Sequence, residues 1–277
     1  MTFFGAFLRR LGGWIAVADL VALMGDLDLD EQAVRSAVSR LKRRGVIAPE
    51  RRGGAAGYRL TERGLAILEA GDARIYGRDG AGGGAWLLVV FSIPETRRAL
   101  RHKLRTRLQW LGLGTVANGV WIAPAAVEPE VRRVVEELDL SGHVELFRGA
   151  HLGDAGAVAA WWDLDALAAE YRAYVAAWEP ALDRVSPPPA DAFAAHVRQL
   201  DAWRRIPFHD PGLPAAALPA DWPGAHAWEV FRALDRRLSR PALRHVEARV
   251  SRPSRAGSAP SARRTRPPAR SRGTRSR

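Results

Sequence analysis

The chain of 277 residues contains no cysteine. That excludes disulfides, thiolate nucleophiles and cysteine-held zinc, and it fits a reducing cytoplasm. Long apolar runs are also missing. The best stretch, LRRLGGWIAVADLVALMG, is broken by Arg, Gly and Asp before it reaches bilayer length. The opening MTFFGAFLRR places its charges after its apolar residues, the reverse of a secretory leader. No G-x-S-x-G elbow and no dinucleotide fingerprint occurs. The glycine run at 77–84 precedes a strand pattern and lacks the P-loop Lys-Ser/Thr, so it reads as a linker. His102, His143, His151, His196, His209, His226 and His245 show no metal-ligand spacing. Acid pairs such as Glu136-Glu137 fall on a solvated helix face. These absences leave no catalytic residue, metal or cofactor to assign and point away from an enzyme.

Acidic residues are also absent from the C-terminal end. Residues 248–277 carry ten Arg and no Asp or Glu, so the net charge of +12 falls to +2 for residues 1–247. The tail is rich in Arg, Ser, Pro and Gly and poor in large apolar residues. It has too little surface to bury to offset its ordering entropy, which predicts disorder over 247–277. Such a tail also offers non-specific contact with phosphates.

What is present is concentrated between residues 30 and 64: DEQAVRSAVSRLKRRGVIAPERRGGAAGYRLTERG. Val34, Val38 and Leu41 recur at helical spacing and define a face that packs. The other face shows Arg35, Ser36, Ser39, Arg40, Lys42 and Arg43. Asp30 is placed to cap the helix start, and Gly45 to end it in a left-handed turn. Two short apolar runs follow, at 46–48 and 58–60, joined by a flexible basic turn over 51–57. Residues 31–63 hold nine Lys or Arg against three Asp or Glu. An apolar helix over 15–23 precedes this block, and another helix starts at Thr61. The succession reads as a winged helix-turn-helix over residues 1–76; the alternative is a solvated basic surface helix. In the DNA-binding reading Arg35, Ser36, Ser39 and Arg40 reach base edges in the major groove. Lys42, Arg43, Arg44, Arg51, Arg52 and Arg59 hold phosphates, with Tyr58 beside them in the wing.

Past the linker, residues 86–93 form a buried strand stopped by Pro94, and 95–111 a helix with a basic outer face. Strands at 115–116 and 120–123 flank the hairpin signal Asn118-Gly119. A helix at 127–138 and a strand at 143–147 complete a β-α-β-β-α-β order over 85–152, the ferredoxin-like arrangement. Residues 153–246 read as helical: a long helix at 158–178, a second at 190–205, a rigid proline-rich loop at 206–214, and a third helix from 224 to about 238. The fold class is therefore α+β: a winged helix-turn-helix, a ferredoxin-like central domain, a helical C-terminal domain and a disordered Arg-rich tail.

The segments QAVRSAVSRLKRRGVI, YRLTERG, WLLVVFSIPETRRALRHKLRTRLQWLGLG, NGVWIAP, WWDLDALAAEYRAY and WRRIPFHDPGLPAAALPADWPG occur in that order. Together they resemble the PaaX family of bacterial transcriptional regulators over roughly residues 3–243. The resemblance implies a homodimeric repressor of phenylacetate or related aromatic catabolism genes. It also implies release from double-stranded operator DNA on binding an aryl-CoA thioester such as phenylacetyl-CoA. Family members usually carry more residues before the position of Phe3, and the wing here is unusually rich in Gly and Ala. The central segment is also similar to a small CRISPR-associated metal-dependent nuclease whose first strand ends in a metal-binding Asp. Ser92 stands at that position and lacks the charge to hold a hard cation. The central domain is thus expected to be a dimerisation or relay module.

An aryl-CoA effector needs an apolar slot and cations for its phosphates. The C-terminal segment supplies Tyr171, Tyr174 and Trp178 on one helical stripe, with Trp203, Arg204, Arg205, Phe208 and His209 around the proline-rich loop. The same stripe also fits a plain core, and the two arginines have Asp201 and Asp210 within reach. The reading is a cytoplasmic repressor with no membrane partner. Its rivals are a nuclease built on the central domain and a non-specific nucleic-acid binder acting through the tail.

Overall fold

The computed structural model describes residues 1–77, 85–183 and 187–250. Residues 78–84 of the linker expected at 77–84, and the tail beyond 250, lie outside the described residues. The first layer opens with one π-helical turn at Phe4–Leu8, then β1 (Trp14–Ala16), α1 (Val17–Gly25), α2 (Glu31–Arg43), β2 (Ile47–Arg52), β3 (Ala55–Leu60) and α3 (Glu62–Tyr76). Local chemistry accounts for the helix starts. The Asp30 side chain accepts the Ala33 N–H at 2.8 Å, and the Thr61 hydroxyl accepts the Gly64 N–H at 2.9 Å. Gly45 follows α2 at a φ of +67°, a left-handed position that favours glycine. Asp30→Ala should cost about 1 kcal/mol of stability, read as a lower urea midpoint.

Two expectations change here. Ile15 and Ala16 belong to β1, not to a helix, because they pair with Tyr58 and Gly57 of β3 in a sheet of order β1-β3-β2. Non-local pairing overrides the helical apolar pattern. The expected seven-residue flexible turn is also shorter: β2 and β3 pair up to Arg52↔Ala55, leaving only Gly53 and Gly54 to turn. Their φ values, +55° and +82°, suit a two-residue hairpin with the twist of its strands. Gly57 serves packing: a Cβ there would collide with the Trp14 ring and the Ile15 carbonyl.

The second layer contains β4 (Trp86–Phe91), a 3-10 turn into α4 (Arg98–Trp110), β5 (Gly114–Ala117), β6 (Val120–Pro124), α5 (Glu128–Glu137) and β7 (Val144–Gly149). The four strands form an antiparallel sheet of order β5-β6-β4-β7. Alternate residues Leu87, Val89 and Phe91 join Trp121 in burying against Leu104 and Leu108 of α4 and Val131, Val134 and Val135 of α5.

The third layer holds α6 (Ala155–Val158), α7 (Leu164–Trp178), α8 (Pro189–Trp203), α9 (Ile206–His209) and α10 (Gly224–Arg249). The single helix expected over 158–178 is interrupted. Trp162 is extended and Asp163 restarts the helix by accepting the Ala166 N–H at 3.0 Å. The proline-rich loop begins with a helical turn, α9. The last helix does not end near 238 but runs through Pro241 to Arg249, so the expected tail boundary at 247 also moves. An internal proline removes one helical hydrogen bond. Burial of Leu238, Ala242, His245 and Val246 on either side offsets that loss.

The first and third layers are not separate in packing. Phe3, Phe7, Leu8, Leu20, Leu23 and Leu27 share one core with Phe193 and Val197 of α8 and Ala242 and Val246 of α10. No helix among the described residues is long and apolar enough to cross a membrane.

Candidate nucleic-acid interface

Burial of Val34, Val38 and Leu41 turns the opposite side of α2 outward, so Arg35, Ser36, Ser39, Arg40, Lys42, Arg43 and Arg44 are all exposed. Arg35 donates through Nε to Glu31 at 2.8 Å, one turn earlier. Arg40, Lys42, Arg43 and Arg44 meet no acidic side chain at ion-pair distance among the described residues. Between α1 and α2 lies a cleft of about 180 Å³. Val17, Leu20, Val21, Val34 and Val38 make its apolar wall, and Arg35, Ser39, Lys42 and Tyr58 complete the lining. The helix and the hairpin therefore meet on one side of the first layer, with Tyr58 from β3 beside the α2 cations.

The hairpin cations differ from those on α2. Glu50 pairs with Arg52 and lies 3.2 Å from Arg59. The Arg52 guanidinium stands 5.6 Å over the Trp14 ring, whose Nε1 donates to the Glu50 carbonyl at 3.3 Å. Arg51 donates to the Gly54 carbonyl at 3.0 Å and braces the turn. Glu50 was not singled out by sequence reasoning. Its signal is strand alternation, which brings Glu50, Arg52 and Arg59 together across the hairpin.

The residues considered for an effector divide into core and rim. Tyr171, Tyr174 and Trp203 are buried against one another and against Phe231. The Tyr171 hydroxyl donates to Asp210, the Tyr174 hydroxyl to Gln199 at 2.8 Å, and Trp203 Nε1 to the Ile75 carbonyl at 3.0 Å. These three rings belong to one buried aromatic core. Trp178 is half-buried at the edge of the same core. Arg204 and Arg205 both bind Asp201, at 2.9 and 2.8 Å. Phe208 lies under the Arg74 guanidinium at 5.3 Å, and exposed His209 lies 3.3 Å from Glu170. Burial pulls the Arg74 guanidinium below its ordinary value, and Arg74 donates to the Leu111 carbonyl at 3.1 Å.

Asp201 also accepts from the Thr2 hydroxyl at 2.6 Å, tying α8 to the start of the chain. Burial works against its charge. The hydrogen bonds from Thr2, Arg204 and Arg205 outweigh that and hold the carboxyl at about 2 against an ordinary 3.8. A depressed folded-state value stabilises the fold above pH 3.8, and that contribution disappears as pH falls toward 2. Thermal melts should therefore show a stability loss across that window, flattened in Asp201→Asn, which is less stable at neutral pH.

Ser92 is exposed just beyond β4, its N–H bonded to the His143 carbonyl at 3.0 Å. Among the described residues, no group of three His, Cys, Asp or Glu could hold a metal ion.

Three family models match successive stretches: the PaaX-like protein model over residues 1–64, the PaaX protein central Cas2-like domain over 80–159, and the PaaX-like protein C-terminal domain over 162–248. The chain is 26% identical over 257 residues to the transcriptional repressor PaaX of Escherichia coli (strain K12), spanning 88% of this chain and 80% of that protein. Its fold is similar to that of an uncharacterized protein from Mycobacterium tuberculosis, with a TM-score of 0.58 and 23% identity over 88% of this chain and 95% of the other.

Proposed function

The chain belongs to the PaaX family of transcriptional regulators, and from that premise we propose that it is a sequence-specific repressor that reads operator DNA with α2 and the β2–β3 hairpin. It is a regulator, not an enzyme. The observation that carries the reading is the outer face of α2, where Arg40, Lys42, Arg43 and Arg44 are exposed, with no acidic partner among the described residues, beside the hairpin's Tyr58. Ser36, Ser39 and Arg40 approach base edges directly. Arg35 does so after leaving Glu31. Lys42, Arg43, Arg44 and Arg51 hold phosphates. Arg52 and Arg59, engaged by Glu50, mainly stiffen the wing.

In this reading residues 1–76 are a winged helix-turn-helix and the four-stranded sheet with α4 and α5 is a ferredoxin-like dimerisation module. The chain acts as a homodimer whose two recognition helices meet two half-sites. An aryl-CoA thioester is the proposed effector class. Because Tyr171, Tyr174 and Trp203 are buried in one core, such a ligand would engage the rim formed by Trp178, Arg205, Phe208 and His209, or separate the packed rings. It relieves repression only if it binds the DNA-incompetent dimer more tightly.

Fluorescence anisotropy tests this with a duplex carrying the DNA upstream of the chain's own operon and a scrambled duplex, at two salt concentrations, with and without phenylacetyl-CoA. Preference for the upstream duplex, lost on adding the thioester, is expected. Preference that survives the thioester removes the effector from the reading. Equal and steeply salt-dependent binding to both duplexes, persisting after residues 251–277 are removed, overturns operator recognition.

A further inference from the structure

The turn between α1 and α2 is short, residues 26–30, and it sets the angle at which α2 leaves α1. Two of its acids, Asp26 and Asp28, are bound by side chains from the far end of the chain. His245 Nε2 on α10 donates to Asp26 Oδ2 at 2.7 Å, and Arg249 Nη2 donates to Asp26 Oδ1 at 3.0 Å. Arg198 Nη2 on α8 donates to Asp28 Oδ2 at 2.6 Å. Between the two acids, Leu27 is buried in the core that α8 and α10 share with the first layer. Asp28 has a φ of +63°, the left-handed position of a helix C-cap, where its own N–H bonds the Gly25 carbonyl at 2.9 Å and the Leu29 N–H bonds the Met24 carbonyl at 3.1 Å.

The contacts are unequal. Arg198–Asp28 joins side chains 52% and 87% exposed, where water screens the pair and little stability is gained. His245 and Asp26 have side chains only 10% and 20% exposed, and the His245 ring also packs on Phe193 with centroids 5.4 Å apart. The inner pair is therefore the one whose loss leaves a mostly buried polar group without its partner. The other end of α2 is fixed separately: Gly45 follows it, and the Thr61 hydroxyl donates to the Gly45 carbonyl at 2.5 Å.

We propose that Asp26 and His245 are positioning residues for DNA reading. They form a clamp through which α8 and α10 set the orientation of α2, making the C-terminal helices part of the reading head. The consequence for DNA rests on the function proposed above; the clamp itself does not. Base contacts tolerate little misplacement, whereas phosphate contacts of long cationic side chains tolerate more. Loss of the clamp therefore lowers specific binding and spares non-specific binding. A change in α8 or α10 also has a direct route to α2 that bypasses the central sheet.

The test uses the full chain and three variants: Asp26→Ala; His245→Phe, which keeps the ring on Phe193 but removes the donor; and His245→Gln, which restores one. Hydrogen exchange without DNA reads the amides of residues 27–34. Exchange about tenfold faster in Asp26→Ala and His245→Phe, and near the parental rate in His245→Gln, is expected. Anisotropy should show preference for the upstream duplex over the scrambled one falling about tenfold in the first two variants, with scrambled binding unchanged. Unchanged exchange in His245→Phe overturns the clamp, and that variant decides alone if Asp26→Ala fails to fold. Faster exchange with undiminished preference overturns the positioning role. If the parental chain has no preference for the upstream duplex, operator recognition and the positioning role both fail, while the exchange result still judges the clamp.

Discussion

Phe193→Ala should lower the stability of the whole first layer by about 3–5 kcal/mol, although residue 193 lies on α8. The Phe193 side chain is fully buried, with ring centroids 5.5 Å from Phe7, 6.4 Å from Phe3 and 5.4 Å from His245. Truncation removes a ring from a core to which Leu20, Leu23 and Leu27 also belong. Surrounding helices relax only partly, so the lost transfer energy is joined by a cavity term. Chemical denaturation followed by tryptophan fluorescence and far-UV circular dichroism should give a lower midpoint with both probes moving together. If residues 1–76 formed an independent domain, the variant would shift one transition and leave a second at its parental position. The variant should also weaken binding to the upstream duplex, because the ring supports His245 against Asp26.

Arg35→Ala should weaken binding to the upstream duplex by about 1–3 kcal/mol, or roughly 5–150-fold, and change binding to the scrambled duplex far less. Arg35 is exposed on α2 and pairs with Glu31 at its own helix surface, a contact that contributes little to folding. Stability should therefore stay within about 0.5 kcal/mol of the parent. A companion variant, Glu31→Gln, frees the guanidinium and removes an acid from the face opposed to phosphates, so it should tighten binding to both duplexes at low salt. Equal losses on both duplexes for Arg35→Ala would mean that the side chain holds phosphate and reads no base.

The contrast between these two residues shows what was legible in the residue order. α2 was legible because all its signals are local. Asp30 caps it, Val34, Val38 and Leu41 repeat at helical spacing, and Gly45 accepts the left-handed turn beyond it. The Tyr171, Tyr174 and Trp203 rings were equally visible, but pattern alone does not separate a binding slot from a core. Packing against Phe231 makes them core. The interruption at Trp162-Asp163 and the continuation of α10 through Pro241 each depend on what the flanking residues bury.

Sequence by itself determined the position of α2 and the basic character of its outer face. Those follow from spacing and composition within a few turns of helix. Only the tertiary structure decided that Ile15 is a strand residue, that Glu50 engages two hairpin arginines, and that Asp26 meets His245. The last pair is separated by more than two hundred residues, and it is made by a core that joins Phe7 and Leu23 to Phe193 and Val246. Hydrophobic burial is non-directional, so periodicity identifies which faces must be covered but not which distant helix covers them.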